Sequence, residues 1–169
     1  NRLRLLRNHG LQDRDTCEIF GYNSRLDTVQ AVVAHHMLKK ISVINRQRKK
    51  NAQYLDAALK LLPEVSLTTP NEESFSHAYH LYSQLFEKRD ELKLFLNARG
   101  VDAKVHYPVP IHLQPAASFL GYKKGDFPIS ERVASSVLSL PIHEFINNTQ
   151  LDIMIASIKD FYTENCLGS

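Results

Sequence analysis

From Leu26 onward the apolar residues recur at helical intervals: Leu26, Val29, Val33, Met37, Ile41, Ile44, then Ala52, Leu55 and Leu59. The steps are three and four, with one gap at Arg48. This spacing predicts one long amphipathic helix, or two joined by a kink, with Pro63 as its stop, because proline lacks an N–H and collides with the preceding turn. At about 1.5 Å per residue the element spans roughly 50 Å. That exceeds what one small domain needs, so the helix is expected to bridge two bodies or to line a subunit contact. The 169 residues that contain it suffice for one core, or one core with an appended piece.

Composition narrows the class. Hydrophobic residues are 43% and charged residues 23%, which excludes a collagen-like, low-complexity or wholly disordered chain. The formal charge of +3, from 21 Lys+Arg against 18 Asp+Glu, is too small to argue for nucleic acid or a membrane surface. Cys17 and Cys166 lie near opposite ends without a CxxC partner, so neither a metal knuckle nor a disulfide framework is implied, and a reducing cytoplasm is the simpler location. No apolar run approaches the ~20 residues of a membrane helix. The first residue is Asn1, and Asn1 to Arg7 (NRLRLLR) reads like the end of a helix already in progress; a longer parent polypeptide is the expectation.

That first helix is expected to end at Gly10, with an irregular, polar stretch from Gln12 to Arg25. After a turn at Thr68 to Asn71, Ala78 to Phe86 has the pattern of a strand. Arg89 to Arg99 reads as a helix stopped by Gly100, and Val101 to Tyr107 as a second strand. Pro108 to Pro115 holds three prolines and is expected to be a shaped loop. Ile129 to Leu138 suggests a helix, Leu140 to His143 a short strand or turn, and Asn148 to Tyr162 a closing helix. Alternating strands and helices indicate an α/β or α+β layer.

Four groups of residues carry candidate chemistry. His35, His36, Lys39, Lys40, Arg46, Arg48, Lys49 and Lys50 make a basic helix segment, but no aromatic residues alternate with the charges, and a solvated helix surface is the simpler reading. His77 and His80 form an HxxH pair suited to a metal on a helix. Their setting is strand-like, which sends i and i+3 to opposite faces, so no metal site is expected. In Gly21-Tyr22-Asn23-Ser24-Arg25-Leu26 an amide and a guanidinium stand two apart just before the long helix, where the positive dipole end and free N–H groups favour an anion such as phosphate. A turn cap at Asn23 and a surface pair at Arg25 remain an equal alternative. In His106-Tyr107-Pro108-Val109-Pro110-Ile111-His112-Leu113-Gln114, prolines hold a loop that displays a phenol and two imidazoles, groups that exchange protons and hydrogen-bond a polyhydroxyl ligand. A purely structural loop stays open beside that reading.

Taken together, LRNHG at Leu6 to Gly10, GYNSRLDTVQA at Gly21 to Ala31, AYHLY at Ala78 to Tyr82, GVDAKVHYPVPIHLQP at Gly100 to Pro115 and GDFPISERVASSVLSLPIH at Gly125 to His143 resemble the C-terminal half of the DegT/DnrJ/EryC1/StrS family of pyridoxal-phosphate-dependent sugar aminotransferases. The resemblance implies the C-terminal part of an aspartate aminotransferase type I fold, in a homodimer whose active sites are shared between subunits. Residues 1–25 would be the tail of the large cofactor-binding domain, 26–62 the connector helix and 63–169 the small C-terminal α/β domain. By the same likeness Asn23 would reach the phosphate of pyridoxal 5'-phosphate in the neighbouring subunit's site, with Arg25 close to it or to the sugar nucleotide's diphosphate. Tyr107 and His112, with His106 and Gln114 beside them, would lie at the sugar-binding side. His80 and Tyr82 would be packing residues. The implied substrates are a nucleotide-linked keto-sugar and an amino donor, commonly glutamate.

One departure matters. The family's Schiff-base lysine, the Gly-Asp-Gly-Gly stretch after it and the Asp that pairs with the pyridine nitrogen all belong upstream of LRNHG, and this sequence has none of them. That lysine binds the aldehyde and moves the proton between carbons, so this chain alone is expected to be inactive and to be part of a longer enzyme. Two alternatives stand beside the aminotransferase: a lysine-less deoxysugar dehydratase of the same fold, and a non-catalytic binding or assembly module.

Overall fold

The computed structural model describes residues 1–68 and 76–166, and the turn expected at Thr68 to Asn71 lies, apart from Thr68, outside them. The chain divides into two compact units, Asn1–Ser42 and a second that begins at Val43. Among the described residues no helix is long and apolar enough to cross a membrane.

In the first unit helix α1 (Arg2–Leu6) ends early, and the chain reverses through His9 and Gly10, both at positive φ. The Gly10 N–H returns to the Leu5 carbonyl at 2.8 Å. The segment between Gln12 and Arg25 is irregular, as expected, and is held by isolated pairings. Isolated bridges pair Asn8 with Asn23 and Leu11 with Cys17, and the two sides of this excursion meet at glycines. A Cβ on Gly10 would lie 1.5 Å from the Ile19 carbonyl oxygen, and one on Gly21 2.5 Å from the Gly10 nitrogen. Only a residue without a side chain fits either place.

The periodic stretch from Leu26 forms two helices, α2 (Thr28–Leu38) and α3 (Ile41–Leu59), so the kinked alternative is the one realised. Lys39 and Lys40 between them are good helix formers, so local propensity does not set the break. The two helices differ in surface. No residue of α2 is buried within this chain, although Val29, Val32, Val33 and Leu38 are all apolar. In α3 a single stripe, Asn51, Ala52, Leu55 and Leu59, is buried and the remainder is polar.

The second unit holds a three-stranded antiparallel sheet in the order β1 (Val65–Ser66), β2 (Tyr82–Phe86), β3 (Val137–Leu140). Tyr82 pairs with Leu140 and Leu85 with Val137. Helices α4 (Arg89–Ala98), α5 (Pro128–Ser136) and α6 (Asn148–Cys166) complete a mixed α/β architecture. The strand expected over Ala78 to Phe86 begins only at Tyr82, and from there it shows a buried–half-buried alternation. Pro108 to Pro115 is indeed a shaped loop, followed and partly occupied by two short 3-10 turns, Ile111–Leu113 and Pro115–Leu120.

Two expectations need correction. Val101 to Tyr107 is not a strand: its pairing with β3 is confined to Lys104, which exchanges both backbone hydrogen bonds with Ser139 at 3.0 and 2.7 Å. The Ala103 N–H turns back to the Val101 carbonyl at 2.8 Å and is also held by Asn97 Oδ1, which bends the chain at Asp102, and Pro108 ends any further pairing on the other side. The third strand begins at Val137, inside the segment expected to be helix, and ends at Leu140 where it was expected to start. All four of its residues are buried, and an apolar run buried on both faces carries no alternation to mark it as a strand.

Leu55, Leu59, Tyr82, Phe86, Leu92, Leu96, Leu138, Leu151 and Ile158 form the centre of the core. Two polar side chains inside it reach specific partners. The Tyr82 hydroxyl donates to Asp56 Oδ1 at 2.7 Å, and burial together with that carboxylate drives its pKa far above the usual phenol range. The Arg89 guanidinium donates to the Ala134 and Val137 carbonyls at 3.2 and 2.9 Å, satisfying the end of α5. Leu96 is fully buried, whereas Leu94 on the same helix is 70% exposed. Leu96→Ala should therefore cost about 2–5 kcal/mol in urea unfolding, and Leu94→Ala no more than about 0.5 kcal/mol.

Candidate functional site

Asn23 and Arg25 sit on the rim of the glycine-pinned turn in the first unit. Backbone bonds from Tyr22 to the Leu6 carbonyl (2.6 Å), from His9 to the Tyr22 carbonyl (2.9 Å) and from Ser24 to the Arg7 carbonyl (2.8 Å) lock residues 22–24 against the chain reversal. Arg25 Nε donates to Asn23 Oδ1 at 3.3 Å, and Arg25 Nη2 stands 3.3 Å from His9 Nε2. Both side chains are exposed. Among the described residues no hydrogen bond occupies Arg25 Nη1 or the Asn23 amide nitrogen, so N–H donors of a fixed guanidinium and an amide face outward together. This donor set fits a phosphate. It contains no amine to hold an aldehyde.

The proline-rich loop forms one wall of a cavity of about 550 Å3 in the second unit. Tyr107, Ile111, His112, Leu120, Tyr122 and Phe127 contribute most of its character: an apolar and aromatic interior with few polar groups. Tyr107 is 76% exposed, and among the described residues its hydroxyl has no hydrogen bond within the chain. Such an interior suits the apolar faces of a sugar or base, with polar groups at the edge to fix its orientation.

The two imidazoles are held from behind. His112 Nε2 lies 3.0 Å from Glu131 Oε1, which also accepts the Gly125 N–H at 2.7 Å. The pair is largely shielded, the side chains being 8% and 16% exposed. The Gly125 N–H and the His112 ring hold the Glu131 carboxyl below the ordinary glutamate range, against the opposing effect of partial burial. An ionised carboxylate only accepts, so His112 Nε2 carries the hydrogen, and in the neutral ring Nδ1 is the acceptor left over. His106 is fixed through its other nitrogen, Nδ1, 3.0 Å from Ser139 Oγ. Gln114 stands apart from the cavity lining; its Nε2 donates to the Val109 carbonyl at 3.2 Å and closes the proline loop on itself.

Tyr107, His112 and His106 thus meet at one cavity, Asn23 and Arg25 meet at one turn, and Gln114 supports rather than lines. Sequence reasoning missed Glu131 and Ser139. Each lies far along the chain from its imidazole, and a lone Glu in a helix or Ser in an apolar run carries no signal of its own. Of the remaining candidates, His77 Nδ1 accepts the Tyr79 N–H at 2.9 Å and residues 76–79 are not helical, which removes the helical basis for an HxxH site. Among the described residues no cluster of three metal-ligating side chains occurs. His35, His36, Lys39, Lys40, Lys49 and Lys50 are exposed, and Arg48 lies 3.6 Å from Glu144.

A sequence model of the DegT/DnrJ/EryC1/StrS aminotransferase family matches residues 1–159. Among curated proteins, the erythromycin biosynthesis sensory transduction protein EryC1 of Saccharopolyspora erythraea is 39% identical over 158 residues, 94% of this chain and 43% of that protein. The dTDP-3-amino-3,4,6-trideoxy-alpha-D-glucose transaminase of Streptomyces venezuelae is 37% identical over 162 residues, 95% of this chain and 42% of its own length. Among solved structures, that of S. venezuelae DesV in complex with a ketimine intermediate superposes with a TM-score of 0.88 at 36% identity, covering 95% of this chain and 43% of DesV. The chain therefore spans less than half the length of the relatives it matches.

The Glu131 contacts give a testable pH dependence. A carboxyl whose folded pKa is depressed stabilises the fold fully above its unfolded value, and that contribution disappears as pH falls through the folded value. Thermal unfolding of the wild type and of Glu131→Gln should therefore differ most at neutral pH, and the difference should shrink as pH is lowered below 4.5, the ordinary value for glutamate.

Proposed function

The chain belongs to the DegT/DnrJ/EryC1/StrS aminotransferase family, and from that membership we propose that it is the C-terminal portion of a pyridoxal-phosphate-dependent aminotransferase acting on a nucleotide-linked keto-sugar. The match of the family across residues 1–159 is the observation that carries this reading. A relative named as a nucleotide-sugar transaminase supports the substrate class, and glutamate is the proposed amino donor. The parts of the reading that belong to the whole protein are a cytoplasmic homodimer with shared active sites, a reactive lysine supplied from outside these residues, and inactivity of this chain by itself.

In this reading residues 1–25 end the large cofactor-binding domain, 26–62 connect, and 63–169 form the small domain. The exposed apolar residues of α2, Val29, Val32, Val33 and Leu38, support a connector that is covered in the whole enzyme. Pyridoxal phosphate, when bound, supplies the electron sink that lets an amino group move between two carbonyl carbons. Asn23 would donate its amide N–H to the cofactor's phosphate in the neighbouring subunit's site, with the Arg25 guanidinium close to that phosphate or to the sugar nucleotide's diphosphate, and the existing bond between them holds both in place beforehand. Tyr107 offers its unengaged hydroxyl to the sugar, His112 an acceptor at Nδ1, and the aromatic wall excludes water from the bound ring. His106 adds a further polar contact, and Gln114 keeps the loop closed.

The test uses the full-length enzyme purified with its cofactor. Glutamate should bleach the cofactor's visible absorbance and a nucleotide keto-sugar should restore it. A cofactor-loaded enzyme that never cycles in this way rejects the reading. Asn23→Ala should lower retention of pyridoxal phosphate after dialysis by about two- to tenfold, the loss of one hydrogen bond to a charged group, with little change in the KM for the sugar.

A further inference from the structure

The sheet behind the cavity contains a line of hydroxyls that the proposed function does not use. Ser83 on β2 and Ser139 on β3 are directly opposed, and their Oγ atoms stand 2.6 Å apart. Ser139 Oγ is in turn 3.0 Å from His106 Nδ1, and Ser139 is buried. Both backbone groups of Ser139 bond Lys104 in the two-bond bridge, two residues before His106, while its neighbours Leu138 and Leu140 pair with Gln84 and Tyr82 of β2. A hydroxyl held this firmly defines where an imidazole bonded to it must sit. His106 is half-buried and lines the cavity, and among the described residues Nε2 has no partner within the chain.

We infer that Ser139 is a positioning residue of the sugar site: through Oγ it fixes Nδ1 of His106, so that Nε2 is presented to a hydroxyl of the bound sugar. This rests on the reading of the cavity as the nucleotide-sugar site. The direction of the Ser83–Ser139–His106 chain is reversible. When Ser83 donates to Ser139 and Ser139 to Nδ1, Nε2 carries the hydrogen and donates to the ligand; when the order is reversed, Nε2 accepts. One ring thus serves a sugar oxygen in either role, without moving. His112 cannot do this, because the Glu131 carboxylate accepts only and fixes its tautomer. The two imidazoles of the loop therefore differ in kind: His112 offers one polarity and His106 two.

The experiment is a double-mutant cycle in the full-length enzyme, assayed in the reverse direction with dTDP-3-amino-3,4,6-trideoxy-α-D-glucose and dTDP-3-amino-3,6-dideoxy-α-D-galactose as probes and 2-oxoglutarate as acceptor. Ser139→Ala should raise the KM for the sugar nucleotide by about two- to tenfold, the equivalent of one hydrogen bond, with kcat, the KM for 2-oxoglutarate and cofactor content within about twofold. His106→Ala should raise the same KM by at least as much, and adding Ser139→Ala to His106→Ala should change it no further. A Ser139→Ala penalty of the same size in both backgrounds would show that the hydroxyl serves only strand packing, and an unchanged KM would remove Ser139 from the site; either overturns the inference. Should Ser139→Ala fail to fold, Ser83→Ala carries the test, because it leaves Ser139 in place and cuts its second bond. It should raise the KM by about twofold in the wild type but not in His106→Ala, and no change in the wild type overturns the inference. An enzyme that exchanges the cofactor's amino group with neither probe nor any other nucleotide sugar fails the functional reading instead, independently of Ser139.

Discussion

Burial of strand β3 imposes the condition that the second unit is built to meet. All four residues from Val137 to Leu140 are shielded, so their backbone donors and acceptors have no water to fall back on and need protein partners. β2 supplies one side of the ladder, Lys104 the other at Ser139, and the Arg89 side chain takes the Val137 carbonyl. These partners come from widely separated parts of the chain. Their convergence brings the start of α4, the end of α5 and the segment leading into the proline loop to one place. Helices α3 and α6 then add the apolar stripes, Leu55 and Leu59 from one and Leu151 and Ile158 from the other, that exclude solvent from the remaining core.

The cavity inherits its rigidity from the same strand. Its loop has little regular structure, yet it is anchored at His106 through Ser139, at His112 through Glu131 and at Gln114 through the Val109 carbonyl. Prolines restrict the backbone between these anchors. The result is a cavity wall that is irregular in form and fixed in position, with the Tyr107 hydroxyl exposed and without an internal hydrogen bond among the described residues. Ordering energy has already been spent in folding, which leaves less to be lost when a ligand binds.

Much of this was legible in the residues. Three- and four-residue spacing located α2, α3, α4 and α6, and prolines located the loop, because each reflects a local rule that the chain obeys wherever it sits. The proximity of Asn23 and Arg25 before a helix was visible in their spacing, though not the 3.3 Å contacts with each other and with His9 that orient them. What escaped was non-local. Val101 to Tyr107 has strand-like composition, but the turn that ties the Ala103 N–H to the Val101 carbonyl and to Asn97 bends it away from an extended course. Val137 and Leu138 are indistinguishable from the tail of a helix until their burial on both faces is seen. Glu131 acquires meaning from Gly125 and His112, and Ser139 from Ser83 and His106; neither relation has a sequence spacing that would announce it.

The contact of Gly10 with Gly21 has a consequence for how this polypeptide can diverge. The chain leaves the body of the first unit at one glycine and returns at the other, so the backbone is stapled at the neck of an Ω-shaped excursion. Whatever happens to the tip, from Gln12 to Glu18, the neck delivers the residues after it to the same spot. Length and composition of the tip are thereby free to drift between descendants, or to be exchanged by an engineer, while the amide and guanidinium just beyond the neck keep their station.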